Sequence, residues 1–344
     1  MKVLFTTDTY HPNVDGVVKT LDLLERELEK YGIEVYILAP EGSETKENVH
    51  LAKALPFLPY PDYKIPLPFE LEFEVDIVHN HGITITAWEG LIYGRKKNIP
   101  VIGTYHTDVI DATHYVNLPK EVAARYIRTL YKRHDITLAP SYFALKKLMK
   151  RTKLRNGFVF PNPIDTSEFI QSKQKSPFLL HVGRLVKEKR IDLIFPYLEK
   201  VGMPLYVAGK GPALEYYKKL AESYNAEIHF LGYVPDEELK QLYAKATALV
   251  FNSSFDTQGL VCLEALASGT PVVAYKETAF AEIAEKLGTV FWDELSFIKA
   301  VKQATTIPQS KLLSIAKKYD IQVLGKKIVK LYELMLEREL YKLL

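Results

Sequence analysis

Residues 251–271 read FNSSFDTQGLVCLEALASGTP, and this stretch decides the fold. The run Ala248–Phe251 is apolar and strand-like, a polar loop follows from Asn252, and an apolar helix begins near Gly259. A strand, a chemically rich loop and a helix make the repeating unit of a doubly wound α/β sheet, whose ligands bind beyond the carboxyl ends of the strands. Seven residues separate Asp256 in the loop from Glu264 in the helix. Gly259 lets a ligand approach the backbone, and the N–H groups of Leu260 and Val261 then point at it. A helix start of this kind holds phosphate. Glu264 can accept two hydroxyl hydrogen bonds, as a ribose diol offers. The plainer alternative is a helix with Asp256 as its cap and Glu264 in solvent.

Working outward, short β-rich runs alternate with amphipathic helices along the whole chain. Val3–Thr7, Ile33–Ala39, Asp76–His79, Val101–Tyr105 and Asp135–Ala139 read as one series of strands, with a helix over Val17–Tyr31. Phe178–Val182, Leu205–Ala208, Ile228–Leu231, Ala248–Phe251 and Pro271–Tyr275 read as a second. Such alternation means parallel sheets covered on both faces. The series break at Phe160–Pro177, and Gly325–Leu344 reads as a final helix. The expected domains are 1–160, 161–324 and a helix 325–344 packing back on the first. Pro56–Pro68 holds five prolines and reads as an irregular loop.

The 344 residues are 47 % hydrophobic and 25 % charged, with a net charge of +3, which excludes a disordered or fibrous chain and gives no sign of nucleic-acid binding. The longest run without Asp, Glu, Lys or Arg is Ile77–Trp88, 12 residues, against the roughly 20 a membrane helix needs. The start has no secretory pattern, and the single cysteine, Cys262, fits a reducing compartment, so a cytoplasmic location is expected. Charge is uneven. Residues 1–90 carry 7 basic and 16 acidic groups; residues 91–155 carry 14 and 4. The basic block falls on two candidate helices. In Pro119–His134 the spacing puts Val122, Tyr126 and Leu130 on a buried face; in Ser141–Lys153 it sets Leu145, Leu148 and Met149 opposite Lys146, Lys147, Lys150 and Arg151. Two solvated helices or a docking surface for anionic headgroups both satisfy this pattern.

Three further segments place chemistry just after strands. In HVGRLVKEKRIDLI (181–194) a strand ends in Gly183, Arg184 follows and Lys189 opens the next helix, so that two fixed cations suit a diphosphate leaving group. Lys187 and Arg190 read as plain surface cations. In TTDTYHPNVDGVVK (6–19) Gly16 allows close backbone approach. In GTYHTD (103–108) His106 stands just beyond a strand, as His79 and His81 do beyond another. No Asp, Glu or Cys is spaced to complete a structural zinc site. His114, His134 and His229 read as hydrogen-bonded structural groups. No GxGxxG loop and no Walker spacing occurs, which argues against a nicotinamide enzyme and a P-loop ATPase.

FTTDTYHPNVDGV, TYHTD, FPNPID, HVGRLVKEKRID and DTQGLVCLEALASGTPVV together resemble the family-four retaining glycosyltransferases of the GT-B fold. The family usually has Glu where this chain has Asp256, and Phe-Gly where it has Gln258-Gly259. The Thr-Gln-Gly variant, the TDTY–P–GV start and Ile65–Pro68 are similar to members that glycosylate diacylglycerol or other lipids. The resemblance implies two Rossmann-like domains facing a central cleft. It implies that Arg184 and Lys189 neutralise the donor diphosphate, Glu264 holds the ribose, Asp256 meets donor-sugar hydroxyls, Gly16 lines the loop near diphosphate and acceptor, and His106 touches the sugar. The function expected is retaining, metal-independent transfer of a hexose from a nucleotide diphosphate sugar to a hydroxyl, with a lipid acceptor and an anionic membrane as candidate partners and no cofactor. In such a reaction the acceptor attacks from the face the nucleotide leaves, and the departing phosphate takes the proton. The rivals are a nucleotide-sugar epimerase of the same fold and a non-catalytic sugar-nucleotide-binding module.

Overall fold

The computed structural model describes residues 1–56, 64–68, 71, 73–113 and 117–338. Contacts divide the chain into two units: Met1–Pro163 together with the segment from Ile321, and Ile164–Asp320.

The first unit holds β1 (Lys2–Thr6), β2 (Glu34–Pro40), β3 (Val49–Ala52), a hairpin of β4 (Ala54–Pro56) and β5 (Lys64–Pro66), then β6 (Ile77–Asn80), β7 (Val101–Thr104), β8 (Ile136–Ala139) and β9 (Gly157–Val159). Seven of these form one sheet in the order β3-β2-β1-β6-β7-β8-β9, every pairing parallel. Its helices are α1 (Gly16–Glu29), α2 (Ile85–Lys97), α3 (Lys120–Tyr131) and α4 (Tyr142–Thr152). The second unit has β10 (Leu179–Val182), β11 (Leu205–Ala208), β12 (Ile228–Gly232), β13 (Ala248–Phe251), β14 (Val272–Tyr275) and β15 (Val290–Phe291), in the parallel order β12-β11-β10-β13-β14-β15. Its helices are α5 (Phe195–Val201), α6 (Leu214–Ala221), α7 (Asp236–Lys245), α8 (Leu260–Ala267), α9 (Ala281–Leu287), α10 (Glu294–Ala304) and α11 (Gln309–Ala316). A last helix, α12 (Ile321–Leu336), belongs to the first unit.

The strands are short and apolar because both faces are covered: β6, β7, β8 and β13 are buried at every residue. In each sheet the strand order reverses beside the first strand, at β1/β6 and at β10/β13. A crevice opens beyond the carboxyl ends at such a switch point. The loops there are those after β1, β6, β10 and β13, which carry most of the residues of interest.

In α12, Ile328, Leu331, Tyr332 and Met335 are buried with Phe5, Val18, Leu21 and Ile37 of the first unit. Each such side chain contributes roughly 1.5–3 kcal/mol when fully buried. Gly325 makes this packing possible, since a Cβ there would lie 2.4 Å from Glu27 Cγ on α1.

Three expectations need correction. Pro56–Pro68 is not wholly irregular, since Ala54–Pro56 pairs antiparallel with Lys64–Pro66; Phe57, Leu58, Tyr60 and Tyr63 lie outside the described residues, as does His114. The buried face of α3 is Ala123, Ile127, Leu130 and Tyr131, while Val122 and Tyr126 are 49 % and 39 % exposed. Lys147 and Arg151 on α4 are not a solvated stripe. They pair with Asp108, 3 % exposed, and with Asp111, at 2.5–3.1 Å. Burial opposes the charge on Asp111, but the two cations overcome it and hold its pKa at about 2.

Candidate functional site

In the second unit, β10 ends in Val182 and the chain turns at Gly183, leaving Arg184 exposed beyond the strand. Lys189 does not open a helix. It closes a 3-10 turn, Lys187–Lys189, and reaches the loop after β13. There its Nζ donates to both Asp256 carboxylate oxygens, at 2.8 and 2.7 Å. Burial acts against the charge on Asp256, but Lys189 beside it, with hydrogen bonds from Lys189 and Ser253, holds the carboxyl below its ordinary range. The two residues read as contacts of sugar and diphosphate therefore meet each other.

Gly259 caps α8 at φ +86°, where a Cβ would strike the Phe251 ring at 2.7 Å. The N-cap residue is this glycine, which makes no side-chain cap, and the first-turn N–H groups of Leu260 and Val261 follow it. Their partial positive charge favours an anion. One turn on, Glu264 is 7 % exposed, and Oε2 accepts a 2.7 Å hydrogen bond from the Tyr243 hydroxyl. Tyr243 is itself 1 % exposed.

Arg190 is not a plain surface cation. It adopts φ +50°, its Nε–H donates to the Asn252 carbonyl at 3.2 Å, and Asn252 Nδ2 donates to the Arg190 carbonyl at 3.1 Å. This exchange ties the loop after β10 to the end of β13, the two strands of the switch point. Beneath it lies His181, whose pKa burial and the Lys189 charge lower to about 4.

In the first unit Gly16 is exposed and opens α1, whose N-terminus is capped by Asp15 accepting from Val17 and Val18 N–H at 2.8 and 3.0 Å. His106 lies just beyond β7 and is 9 % exposed. Its Nε2 is 2.8 Å from Nδ1 of His81, beyond β6, and the two rings stack with centroids 5.1 Å apart. Burial lowers the His106 pKa to about 4 against a hydrogen bond with Asn162. His79 is fully held, by the Tyr332 hydroxyl at 2.8 Å and the Thr104 hydroxyl at 2.7 Å. His134 is a structural group between Asn80 and the Leu130 carbonyl.

Sequence reasoning missed Tyr243, Arg190 and the His81–His106 bond. The last had a signal: HNH puts His81 two residues after His79 and TYH puts His106 two residues after Thr104, each on the sheet face of its predecessor, and β6 and β7 are neighbours.

No group of three or more His, Cys, Asp or Glu among the described residues is arranged to hold a metal ion. No helix among them is long and apolar enough to cross a membrane.

Two family profiles match consecutive parts of the chain: Glycosyltransferase Family 4 over residues 14–168 and Glycosyl transferases group 1 over residues 164–304. The chain is 27 % identical to the alpha-monoglucosyldiacylglycerol synthase of Streptococcus pneumoniae, over 88 % of this chain and 78 % of that protein. It is 26 % identical to the synthase of the same name from Acholeplasma laidlawii, over 83 % of each. A GDP-mannose-dependent alpha-mannosyltransferase of Corynebacterium glutamicum is 23 % identical over 79 % of this chain and 72 % of its own length. Among solved structures, sucrose-phosphate synthase from Thermosynechococcus elongatus superposes with a TM-score of 0.78 at 16 % identity, covering 98 % of this chain and 99 % of that one. A glycosyltransferase of avilamycin A biosynthesis superposes with a TM-score of 0.68 at 19 % identity, covering 98 % of both chains. With two Rossmann-like units and both halves matched, the chain belongs to the family-four glycosyltransferases of the GT-B fold.

Proposed function

We propose that this enzyme transfers a hexose from a nucleotide diphosphate sugar to the hydroxyl of a membrane glycerolipid, with retention at the anomeric carbon and with fixed cations in place of a metal ion. The observation that carries the donor side is the grouping at the second switch point: exposed Arg184, Lys189, the glycine-led start of α8 at Gly259, and Glu264 one turn inside it. In this reading Arg184, Lys189 and the N–H groups of Leu260 and Val261 take the diphosphate, and the Glu264 carboxylate, oriented by Tyr243, takes the ribose. Asp256 keeps Lys189 in place and meets sugar hydroxyls as the donor enters. Gly16 and His106 serve the acceptor and the reaction centre from the first unit.

The bond from the anomeric carbon to the diphosphate breaks as the bond to the acceptor oxygen forms on the same face. The acceptor proton passes to the departing phosphate oxygen, so no protein nucleophile is required. Positive charge at that phosphate stabilises the transition state more than the bound donor, which is how it accelerates the step.

The lipid reading rests on the two synthases named for diacylglycerol products and on the surface of the first unit. With Lys147 and Arg151 turned inward, the remaining basic block includes exposed Arg95, Lys96, Arg125, Arg128, Lys132 and Arg133. Apolar groups stand among them: Ile92 is 56 % exposed, Val122 49 % and Tyr126 39 %. Trp88 links the two helices, donating to the Tyr126 hydroxyl at 3.2 Å, with the Arg133 guanidinium 5.2 Å from its ring. Cations around exposed aromatic and aliphatic groups suit an anionic lipid surface.

The test is incubation with UDP-glucose, UDP-galactose and GDP-mannose, each with diacylglycerol vesicles and with a soluble alcohol, with and without EDTA. Mass spectrometry and the anomeric NMR signal read the product. An α-linked glycolipid formed in EDTA is expected. Isomerised donor without transfer would mean an epimerase, and unchanged donor in every mixture would leave a binding module.

A further inference from the structure

Arg190 stands at the joint between two 3-10 turns, Lys187–Lys189 and Ile191–Ile194. On one side its N–H donates to the Lys187 carbonyl at 3.0 Å and closes the turn that carries Lys189. On the other, Ile191 and Ile194 are fully buried in the core of the second unit and hold the chain down. The joint requires φ +50° at Arg190, a left-handed conformation that glycine adopts freely and that costs a residue with a side chain. The guanidinium adds a second cost, because its Nη2 is buried without a hydrogen-bond partner among the described residues.

The ties of the side chain offset these costs. Arg190 links the carboxyl ends of three neighbouring strands, β10, β13 and β14. It follows β10 in the chain, and it exchanges hydrogen bonds with Asn252 beyond β13: Nε–H to the Asn252 carbonyl at 3.2 Å, and Asn252 Nδ2 to its own carbonyl at 3.1 Å. Its guanidinium lies 4.8 Å from the ring centroid of Tyr275, the last residue of β14. Asn252 is wholly buried, and Asp256 follows it by four residues. Glu277 is no such tie: it stands 4.0 Å from Nη1, with a side chain 61 % exposed, where an ion pair contributes little.

We infer that Arg190 is a positioning residue for Lys189, its side chain clamping the turn that carries Lys189 to the strand ends that carry Asn252 and Tyr275. The inference rests on the reading that Lys189 meets the donor diphosphate. A lysine ammonium is a point charge on a flexible stem, so its reach is set by where its backbone is held. Asp256 fixes the ammonium end, but the backbone end is a single 3-10 turn, closed by Lys189 N–H to the Val186 carbonyl and Arg190 N–H to the Lys187 carbonyl. Hydrogen bonds of such turns have poor geometry, and the turn needs outside support. Arg190 supplies it. In this scheme Arg190 touches neither donor nor acceptor and acts through Lys189.

The test separates backbone from side chain. Arg190→Gly suits the left-handed backbone and removes the clamp; Arg190→Lys keeps the charge but lacks the Nε–H and the planar group. With the donor and vesicles that give product, both should lower kcat by about 10- to 30-fold with donor KM little changed, the loss that a small misplacement causes. In a Lys189→Ala background, Arg190→Gly should cost less than about twofold more, because residues that act as a unit are not additive. A general loss of structure would instead multiply the two defects, and that result overturns the proposal, as does wild-type kcat in both single variants. Hydrogen exchange gives a readout independent of turnover. The Lys189 amide should be protected in the wild type and exchange about tenfold faster or more in Arg190→Gly, with the amides of β11 unchanged. An unprotected Lys189 amide in the wild type, or equal protection in Arg190→Gly, also overturns it. Wild-type turnover in Lys189→Ala removes the diphosphate reading alone, while the exchange of that amide still decides whether Arg190 holds the turn.

Discussion

Lys189 Nζ lies 2.8 and 2.7 Å from the two carboxylate oxygens of Asp256, across 67 residues of sequence. The side chains are 16 % and 24 % exposed, so the pair is largely withdrawn from water. Removing one member leaves the other charged and poorly solvated, whereas removing both leaves no such penalty. Lys189→Ala should therefore lower the stability of the second unit by about 2–3 kcal/mol, toward the lower end for a buried pair. Lys189→Ala/Asp256→Asn should recover most of that loss in a thermal melt. Turnover should fall about 100- to 1000-fold in Lys189→Ala and stay low in the double variant, because the transition-state charge is still missing. Recovery of activity along with stability would show the pair to be scaffold only.

Glu264 and Asp256 should fail differently when altered. Tyr243 holds Glu264 Oε2 at 2.7 Å, and hydrogen bonds to charged groups are worth about 1.5–3 kcal/mol. Tyr243→Phe should weaken nucleoside diphosphate binding by about 3- to 10-fold through the lost orientation of that carboxylate, with Glu264→Gln weaker still. Asp256→Asn should leave nucleotide affinity near wild type and lower transfer. Calorimetry with UDP and GDP decides this, and equal losses in the Asp256 and Glu264 variants would refute the division of labour.

Acid should unfold the protein over a defined range. Burial lowers the pKa values of His106, His134 and His181 to about 4, and it also pushes those of His79 and His81 well below the ordinary range. The unfolded chain binds these protons near pH 6.5, so it holds more protons than the folded chain below that pH. Stability is then full above about pH 6.5 and declines as pH falls toward 4. Each such histidine contributes a slope of about 1.4 kcal/mol per pH unit within the window. Urea titrations at pH 7, 6 and 5 should show uptake of more than one proton on unfolding; a flat profile would mean these rings are solvated.

The basic surface of the first unit should bind anionic vesicles at low salt and release them at high salt. Each Lys or Arg at the surface contributes about 1 kcal/mol, screened over a Debye length. Arg125→Glu/Arg128→Glu/Lys132→Glu should abolish sedimentation with the vesicles and spare transfer to a soluble acceptor. Reversing Lys147 and Arg151 should unfold the protein instead, because Asp108 and Asp111 would face like charge. A wild-type protein that ignores anionic vesicles at low salt would move the acceptor into solution.

The second unit was legible because its signals are local. Ala248–Phe251 is a continuous apolar run, Gly259 marks the turn into α8, and Asp256 and Glu264 lie within nine residues of sequence. What escaped depends on distant partners. The α3 sequence carries two stripes at helical spacing, 122/126/130 and 123/127/130/131, and only packing against the sheet decides that the small Ala123 faces inward. Lys147 and Arg151 look solvated until Asp108 and Asp111, some 40 residues earlier, come beside them. The strand Gly157–Val159 lies at a sheet edge with its residues partly exposed, so it lacks an apolar run. In Ala54–Pro56 and Lys64–Pro66 the prolines hide a pairing that a two-stranded hairpin tolerates.

Because α12 belongs to the first unit but follows the second in sequence, the order of synthesis and the order of completion are reversed. A ribosome releases residues 164–320, a contiguous body, while the nascent first sheet still lacks Ile328, Leu331, Tyr332 and Met335. Until those residues emerge, the cluster that holds Val18, Leu21 and Phe5 lacks its α12 members, and His79 has no Tyr332 to bond. The unit translated first is finished last, so its unfilled apolar seat is the stage of biogenesis at which a chaperone has most to do.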